Sequence, residues 1–200
     1  LLASMCLWAE RPNIIFINTD QQTYDCLSAF GNAYINTPHM DSLVRSGVSF
    51  MRSYSTDPVC APARSSWATG LYSSETGVSA NGCPMPHAAI ADLGQILNSN
   101  GYNAYHSGKW HVPGRDVRTS FKCLYFGKRA ICAGGAEFHD PAATHSVLDF
   151  LATYDDDKPF SLQVGYVNPH DVCDSEHHFQ QKTIPGAVEQ GYLTDDELQP

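Results

Sequence analysis

The sequence is poor in positive charge. Among its 200 residues, Lys and Arg number 12 against 21 Asp and Glu, and the formal net charge at pH 7 is −9. A surface of this sign argues against a general role in nucleic-acid binding, which depends on a basic face that neutralises phosphates. It does not exclude an anionic substrate, because a local pocket of Lys, Arg, His and metal reverses the sign of the potential where it matters.

No apolar run is long enough to cross a bilayer, and no internal repeat, low-complexity tract or clear linker interrupts the chain. The composition, with 42% hydrophobic and 16% charged residues, is that of a globular protein and not of a disordered chain. We therefore expect one domain, or part of one. Residues 1–10 are interpreted as the remnant of a secretory signal peptide or as an N-terminal tail, which predicts a secreted or periplasmic protein without stable membrane insertion.

The seven cysteines form no CxxC pair and show no zinc-type spacing, which argues against a structural zinc site. Their odd number leaves at least one thiol unpaired. Cys123 and Cys132 are close enough in sequence for a local disulfide, although spacing alone cannot establish one.

Apolar runs alternate with amphipathic stretches along most of the chain. Strands are predicted at residues 13–19, 48–54, 102–107 and 159–167. Helices are predicted at residues 38–47, 87–100 and 141–154, with a further helix that follows Cys60. This alternation predicts an α/β fold with a mostly parallel central sheet flanked by helices. The first strand is nearly all apolar and is expected to be buried on both faces. Residues 112–140 lack periodicity and are interpreted as a long surface excursion.

The stretch from residue 58 to residue 70, PVCAPARSSWATG, presents one cysteine on a loop that turns directly into a helix. Pro62 suits the first helical turn, where a missing N–H costs nothing. Cys60 then lies at the positive end of the helix dipole beside Arg64, a setting that stabilises an anion. A cysteine placed there is reactive if it is exposed. The alternative is a buried small hydrophobic residue at a loop–helix junction.

Polar side chains fall at the ends of the predicted strands. Asp20, Lys109, His111 and His170 each follow a predicted strand, and Cys60 lies on the loop after the second one. Each of them has an ordinary structural explanation when taken alone, such as a helix cap for an aspartate or a solvated loop position for a lysine or histidine. The carboxyl ends of parallel strands share one edge of a sheet, however, and ligands bind outside that edge. We therefore expect these five residues to converge on one site.

Two motifs resemble the signatures of the sulfatase family, which belongs to the alkaline-phosphatase-like superfamily. The run Cys60-x-Pro62-x-Arg64, closed by Thr69-Gly70, is similar to the first signature. The run GYNAYHSGKWH, at residues 101–111, is similar to the second. Residues 12–20 and 159–170 are similar to the family's first strand and to a later strand that carries a substrate-side histidine. The resemblance identifies residues 11–200 as the N-terminal portion of a formylglycine-dependent catalytic domain, expected to be incomplete at its C-terminus.

The resemblance also implies an activity and a set of roles. Cys60 would be oxidised to formylglycine by a formylglycine-generating enzyme, and the hydrated aldehyde would be the nucleophile that cleaves a sulfate ester. Arg64 would hold this group, and Lys109 and His111 would bind sulfate oxygens. His170 would orient the ester or protonate the leaving alcohol. The substrate class implied for a secreted member is a sulfated carbohydrate or another sulfated small molecule.

A calcium ion, in preference to magnesium, completes the site that the resemblance implies. Its ligands would be Asp20, Gln21 and the modified Cys60. Gln21 stands where many relatives have a second aspartate. Related phosphonate and phosphodiester hydrolases also depart from the aspartate at this position, so such a hydrolase on the same scaffold remains an alternative. The family takes further metal ligands from a later part of its chain, and residues after 172 do not supply them. We therefore expect the chain by itself to bind calcium poorly and to show little activity.

Two other classes of protein remain open. A non-catalytic relative that kept the fold would carry an unconverted Cys60. A redox protein that uses Cys60 as a plain thiol is disfavoured, because no resolving cysteine lies nearby in the sequence.

Overall fold

The computed structural model describes residues 11–83, 89–126 and 135–173. Within them, one sheet is formed by four strands, which are β1 (Ile14–Asp20), β2 (Asn103–Gly108), β3 (Lys122–Tyr125) and β4 (Phe160–Pro169). All pairs are parallel, and the strand order is β1-β4-β2-β3. This arrangement confirms the predicted α/β class with a parallel sheet.

In the described part of the chain, five α-helices connect or cover the strands. They are α1 (Pro38–Ser46), α2 (Cys60–Thr69), α3 (Ser73–Thr76), α4 (Leu93–Ser99) and α5 (Ala136–Thr153). Helix α1 confirms the prediction, with Pro38 at its start and Gly47 just beyond its end. Helix α4 begins later than the apolar spacing suggested, because the side chains of Asp92 and Gln95 form a capping box that fixes its first turn at Leu93. None of these helices is long and apolar enough to cross a membrane.

Three predictions about secondary structure were wrong. Residues 48–54 form no strand, and the side chains of Val48, Phe50 and Tyr54 are more than four-fifths exposed. A strand needs a neighbour for its N–H and C=O groups, and these residues have none in the described part of the chain. The supposed excursion at 112–140 contains β3, which pairs with β2. Helix α5 begins at Ala136 and carries Pro141 inside it, although Pro141 had been expected at its start.

The sheet is covered on both faces around its two central strands. On one face a cluster of apolar side chains lies beneath α2 and α4, including Ala61, Ala104, Trp110 and Phe121. On the other face α5 packs against the sheet through Phe150, Phe160, Leu162 and Val164. The two clusters fix β2 and β4, whose carboxyl ends carry candidate site residues.

The first strand differs from its expected burial. Strand β1 is at the edge of the described sheet, and the side chains from Ile14 to Ile17 are 39–56% exposed. Its apolar sequence therefore predicted a strand correctly but predicted burial on both faces wrongly. Burial depends on what covers the strand, and the described helices lie mainly over β2 and β4.

Candidate active site

The sheet brings the strand-end residues together as parallel pairing requires. Asp20 is the last residue of β1, Lys109 follows β2, and His170 follows β4. The Nζ atom of Lys109 forms an ion pair with Oδ2 of Asp20 across the edge of the sheet. Lys109 is fully buried and Asp20 is 8% exposed, so this ion pair lies beneath the surface.

Arg64 joins the same cluster from helix α2. Its Nη2 atom lies 3.3 Å from Oδ2 of Asp20, and its Nη1 atom donates to the carbonyl oxygen of Lys109 at 2.9 Å. In the amide orientation that satisfies both of its polar atoms, Asn18 accepts from Nη1 and Nη2 of Arg64 at 3.3 and 3.1 Å. Burial lowers the pKa of Arg64, while the charge of Asp20 opposes that shift. Two buried cations therefore share one carboxylate at the mouth of the sheet.

A close backbone approach determines where Lys109 lies. Its N–H donates to the carbonyl oxygen of Gly165 at 2.7 Å. At the facing pair of glycines, a Cβ on Gly108 would lie 2.1 Å from the oxygen of Gly165, and a Cβ on Gly165 would lie 2.2 Å from the oxygen of Lys109. Only glycine fits at both positions, because such contacts are far shorter than atoms allow. Because both residues are glycines, the end of β2 packs closely against β4, and Lys109 then lies within the cluster around Asp20.

Cys60 is the first residue of α2, as its sequence context predicted. Its thiol is partly buried. The Sγ atom contacts the side-chain amide of Asn81, 3.3 Å from Oδ1 and 3.2 Å from Nδ2. The cysteine is therefore accessible, and it is not the buried small hydrophobic residue that was the alternative.

His111 and His170 lie near the buried cations. Burial, and then the positive charges of Lys109 and Arg64, lower the pKa of His111 to about 4, so its imidazole is neutral at pH 7. Within the described residues, Nδ1 of His111, Nδ1 of His170 and Nε of Arg64 are buried without a hydrogen-bond partner. The Oδ1 atom of Asp171 is 4.0 Å from Nδ1 of His170. Buried polar atoms normally have partners, so these three nitrogens are positions at which the oxygens of a ligand could form hydrogen bonds.

A cavity of about 500 Å³ opens over this cluster. Its lining includes Asp20, Gln21, Cys60, Arg64, Asn81 and His170. Seven site residues were predicted from the sequence, and five of them line this cavity, namely Asp20, Gln21, Cys60, Arg64 and His170. Lys109 lies beneath Asp20, and His111 faces a neighbouring cavity of about 450 Å³ formed with Trp110 and Phe126.

The residues present do not by themselves fit a calcium ion. Calcium takes six to eight oxygen ligands, whereas the described residues contain no group of three or more His, Cys, Asp or Glu side chains able to hold a metal. The Asp20 carboxylate is already engaged by two cations. The amide of Gln21 contacts the thiol of Cys173, with Nε2 3.2 Å and Oε1 3.5 Å from Sγ. Cys60, the third expected metal ligand, contributes a thiol.

Sequence reasoning missed the residues that hold the site in place. Asn18 lies two residues before Asp20 on strand β1, and its side chain binds Arg64. Asn81 comes from a loop 21 residues after Cys60. The carboxylate of Asp140, on α5, accepts from the N–H groups of Val167 and Asn168 near the end of β4. Polar positions near the ends of elements were the available signal, but their partners depend on the tertiary structure.

Comparison with known proteins gives a consistent result. The family model described as Sulfatase matches residues 12–196. An ulvan-active sulfatase of Formosa agariphila is 38% identical over 172 residues, which are 86% of this chain and 32% of that protein. An N-acetylglucosamine-6-O-sulfatase of Bacteroides thetaiotaomicron is 26% identical, over 80% of this chain and 31% of that protein.

Solved structures show the same fold. The crystal structure of a putative sulfatase from Bacteroides thetaiotaomicron superposes with a TM-score of 0.70 at 25% identity, covering 82% of this chain and 37% of that one. The chain thus spans about a third of the length of these relatives.

Proposed function

The chain belongs to the sulfatase family. On that premise we propose that it supplies the nucleophile, at residue 60, and the surrounding sulfate-binding residues of a site that hydrolyses sulfate esters. One observation carries the proposal. Nitrogens of Arg64, His111 and His170 are buried without a partner in the described structure. Arg64 and His170 line the cavity together with Cys60, and the charges of Lys109 and Arg64 act on His111. The oxygens of a sulfate group would accept hydrogen bonds from such nitrogens.

The charges of the site suit a sulfate group. Positive charge comes from Lys109 and Arg64, which are buried and which both contact the carboxylate of Asp20. Because His111 is neutral at pH 7, it would bind a sulfate oxygen as a hydrogen-bond donor and not as a cation. Donors and cations fixed in advance around developing charge lower the barrier, since they need no rearrangement during the reaction.

The remaining roles follow from position. Cys60 fits conversion to formylglycine, because its side chain opens into the cavity at the start of α2. That group, once formed, supplies the hydrated-aldehyde nucleophile that a thiol lacks. Arg64 would orient the side chain of residue 60. His170 would hold the ester oxygen and give a proton to the departing alcohol.

Further parts of the proposal rest on the family. The names of the relatives point to sulfated carbohydrates as the substrate class. Conversion of Cys60 requires a formylglycine-generating enzyme as a partner. Calcium, if used, needs ligands beyond Asp20 and Gln21, so no step is assigned to it. A secreted or periplasmic location depends on residues 1–10, which lie outside the described residues, as does Cys132.

Relative activity on two esters tests the proposal against its alternative. In protein isolated from its native host, we expect kcat/KM on an aryl sulfate to exceed that on an aryl phosphonate by about tenfold or more, because the site binds a group with three free oxygens. The variant Lys109→Ala, in which the buried cation beneath Asp20 is lost, is expected to reduce the sulfate activity by about a hundredfold or more. A preference for the phosphonate ester would favour a phosphonate hydrolase on the same scaffold.

A further inference from the structure

The side-chain amide of Asn81 makes three contacts at the start of helix α2. Its Oδ1 atom accepts from the N–H of Ala61 at 3.0 Å. The Sγ atom of Cys60 lies 3.3 Å from the same oxygen and 3.2 Å from Nδ2. One amide thus reaches both the backbone and the reactive side chain of the first helical turn.

These contacts fix the orientation of the amide. The N–H of Ala61 can only donate, so the atom facing it must be the oxygen of Asn81. The NH₂ group is then the atom left to face the side chain of residue 60. An acceptor or an anion at the γ position of residue 60 therefore meets a hydrogen-bond donor.

The sequence around Cys60 explains why this amide is needed. The first N–H groups of a helix have no partner within the helix, and the residue before it normally caps them. Here that residue is Val59, whose side chain cannot accept a hydrogen bond, and it makes no side-chain cap. Asn81 performs the capping from a separate loop and thereby places its NH₂ group beside the γ atom of Cys60.

We propose that Asn81 is a hydrogen-bond donor to the nucleophile at residue 60, where it stabilises negative charge on the γ atom and holds the side chain toward the cavity. This assignment rests on the proposed function in taking residue 60 as the nucleophile. The donor adds to the positive end of the α2 dipole and to Arg64, which lines the same cavity as Cys60 and Asn81. Asn81 would thus act on the reacting atom directly, in addition to capping the helix.

Two variants separate donation to residue 60 from helix capping. Asn81→Asp keeps the oxygen that accepts from Ala61 but loses the NH₂ donor, whereas Asn81→Ala loses both. The unconverted 200-residue chain is used, so the result does not depend on hydrolysis. Hydrogen exchange of the Ala61 amide reports capping. The rate of alkylation of Cys60 by iodoacetamide at pH 7.5, followed by mass spectrometry of its peptide, reports the stabilisation of negative charge.

We expect Ala61 to keep its protection in the Asp variant and to exchange faster in the Ala variant. Alkylation of Cys60 is expected to slow in both by about two- to tenfold, the range that one lost hydrogen bond gives. Alkylation of Cys26, which lies outside the cavity, serves as the control and should not change. If either variant alkylates at the original rate, Asn81 is a helix cap only and the assignment is wrong. Failure of sulfate hydrolysis alone would instead overturn the proposed function.

Discussion

Replacing Asp20 with alanine is expected to lower the free energy of unfolding by about 3–5 kcal/mol. The carboxylate contacts Lys109 and Arg64, whose side chains are 0% and 3% exposed. Removing it takes away a negative charge that both buried cations contact, and weaker compensation of buried charges is costly. Urea denaturation of the 200-residue chain followed by circular dichroism measures the loss.

The chain offers a matched control for this substitution. Asp116 pairs with Arg118 at the surface, where both side chains are well exposed. Asp116→Ala should therefore cost much less stability than Asp20→Ala. The double variant Asp20→Ala with Lys109→Met removes one of the buried cations and should recover part of the stability. A loss below about 1 kcal/mol for Asp20→Ala would show that the buried cluster is not held by this carboxylate.

Gly108→Ala is expected to destabilise the chain by about 3 kcal/mol or more, since overpacking and backbone strain act together. A methyl group there would meet the backbone oxygen of Gly165, which cannot move without separating β2 from β4. The same movement would displace Lys109, whose N–H is bound to that oxygen. Thermal and urea unfolding both measure this effect.

Gly31 is a control that separates the cost of the steric clash at Gly108 from the cost of its backbone conformation. Its φ of +97° is close to the +93° of Gly108, but nothing lies within 4 Å of an added Cβ. Gly31→Ala should therefore cost only about 1 kcal/mol, the strain of a left-handed conformation. Equal losses at the two glycines would mean that the contact between Gly108 and Gly165 is not tight in solution.

The sequence was sufficient where local pattern determines structure. Apolar runs identified β1 and β4, and a strand was also predicted over most of β2. The parallel pairing of these strands placed Asp20, Lys109 and His170 at one edge. Pro62 and the dipole argument located Cys60 at the start of α2. These features follow from periodicity, capping and sheet topology, which a single sequence carries.

What the sequence could not supply depends on contacts between distant residues. The apolar residues at 48–54 resemble a strand, but a strand requires a partner, which is a property of the whole fold. Asn81 lies in a loop without a recognisable motif, and its importance arises only because Val59 cannot cap α2. The amide of Gln21 contacts Cys173, which is 152 residues away, and no local pattern indicates that contact.

Mass spectrometry of the peptide containing residue 60 tests the central claim most directly. The chain is produced together with a formylglycine-generating enzyme, and a known sulfatase peptide in the same cells serves as the positive control. We expect residue 60 to lose the mass that distinguishes a thiol side chain from an aldehyde, while Cys26, Cys83, Cys123 and Cys173 stay unchanged. A thiol retained at residue 60, with the control peptide converted, would contradict the assignment of Cys60 as the precursor of the sulfatase nucleophile.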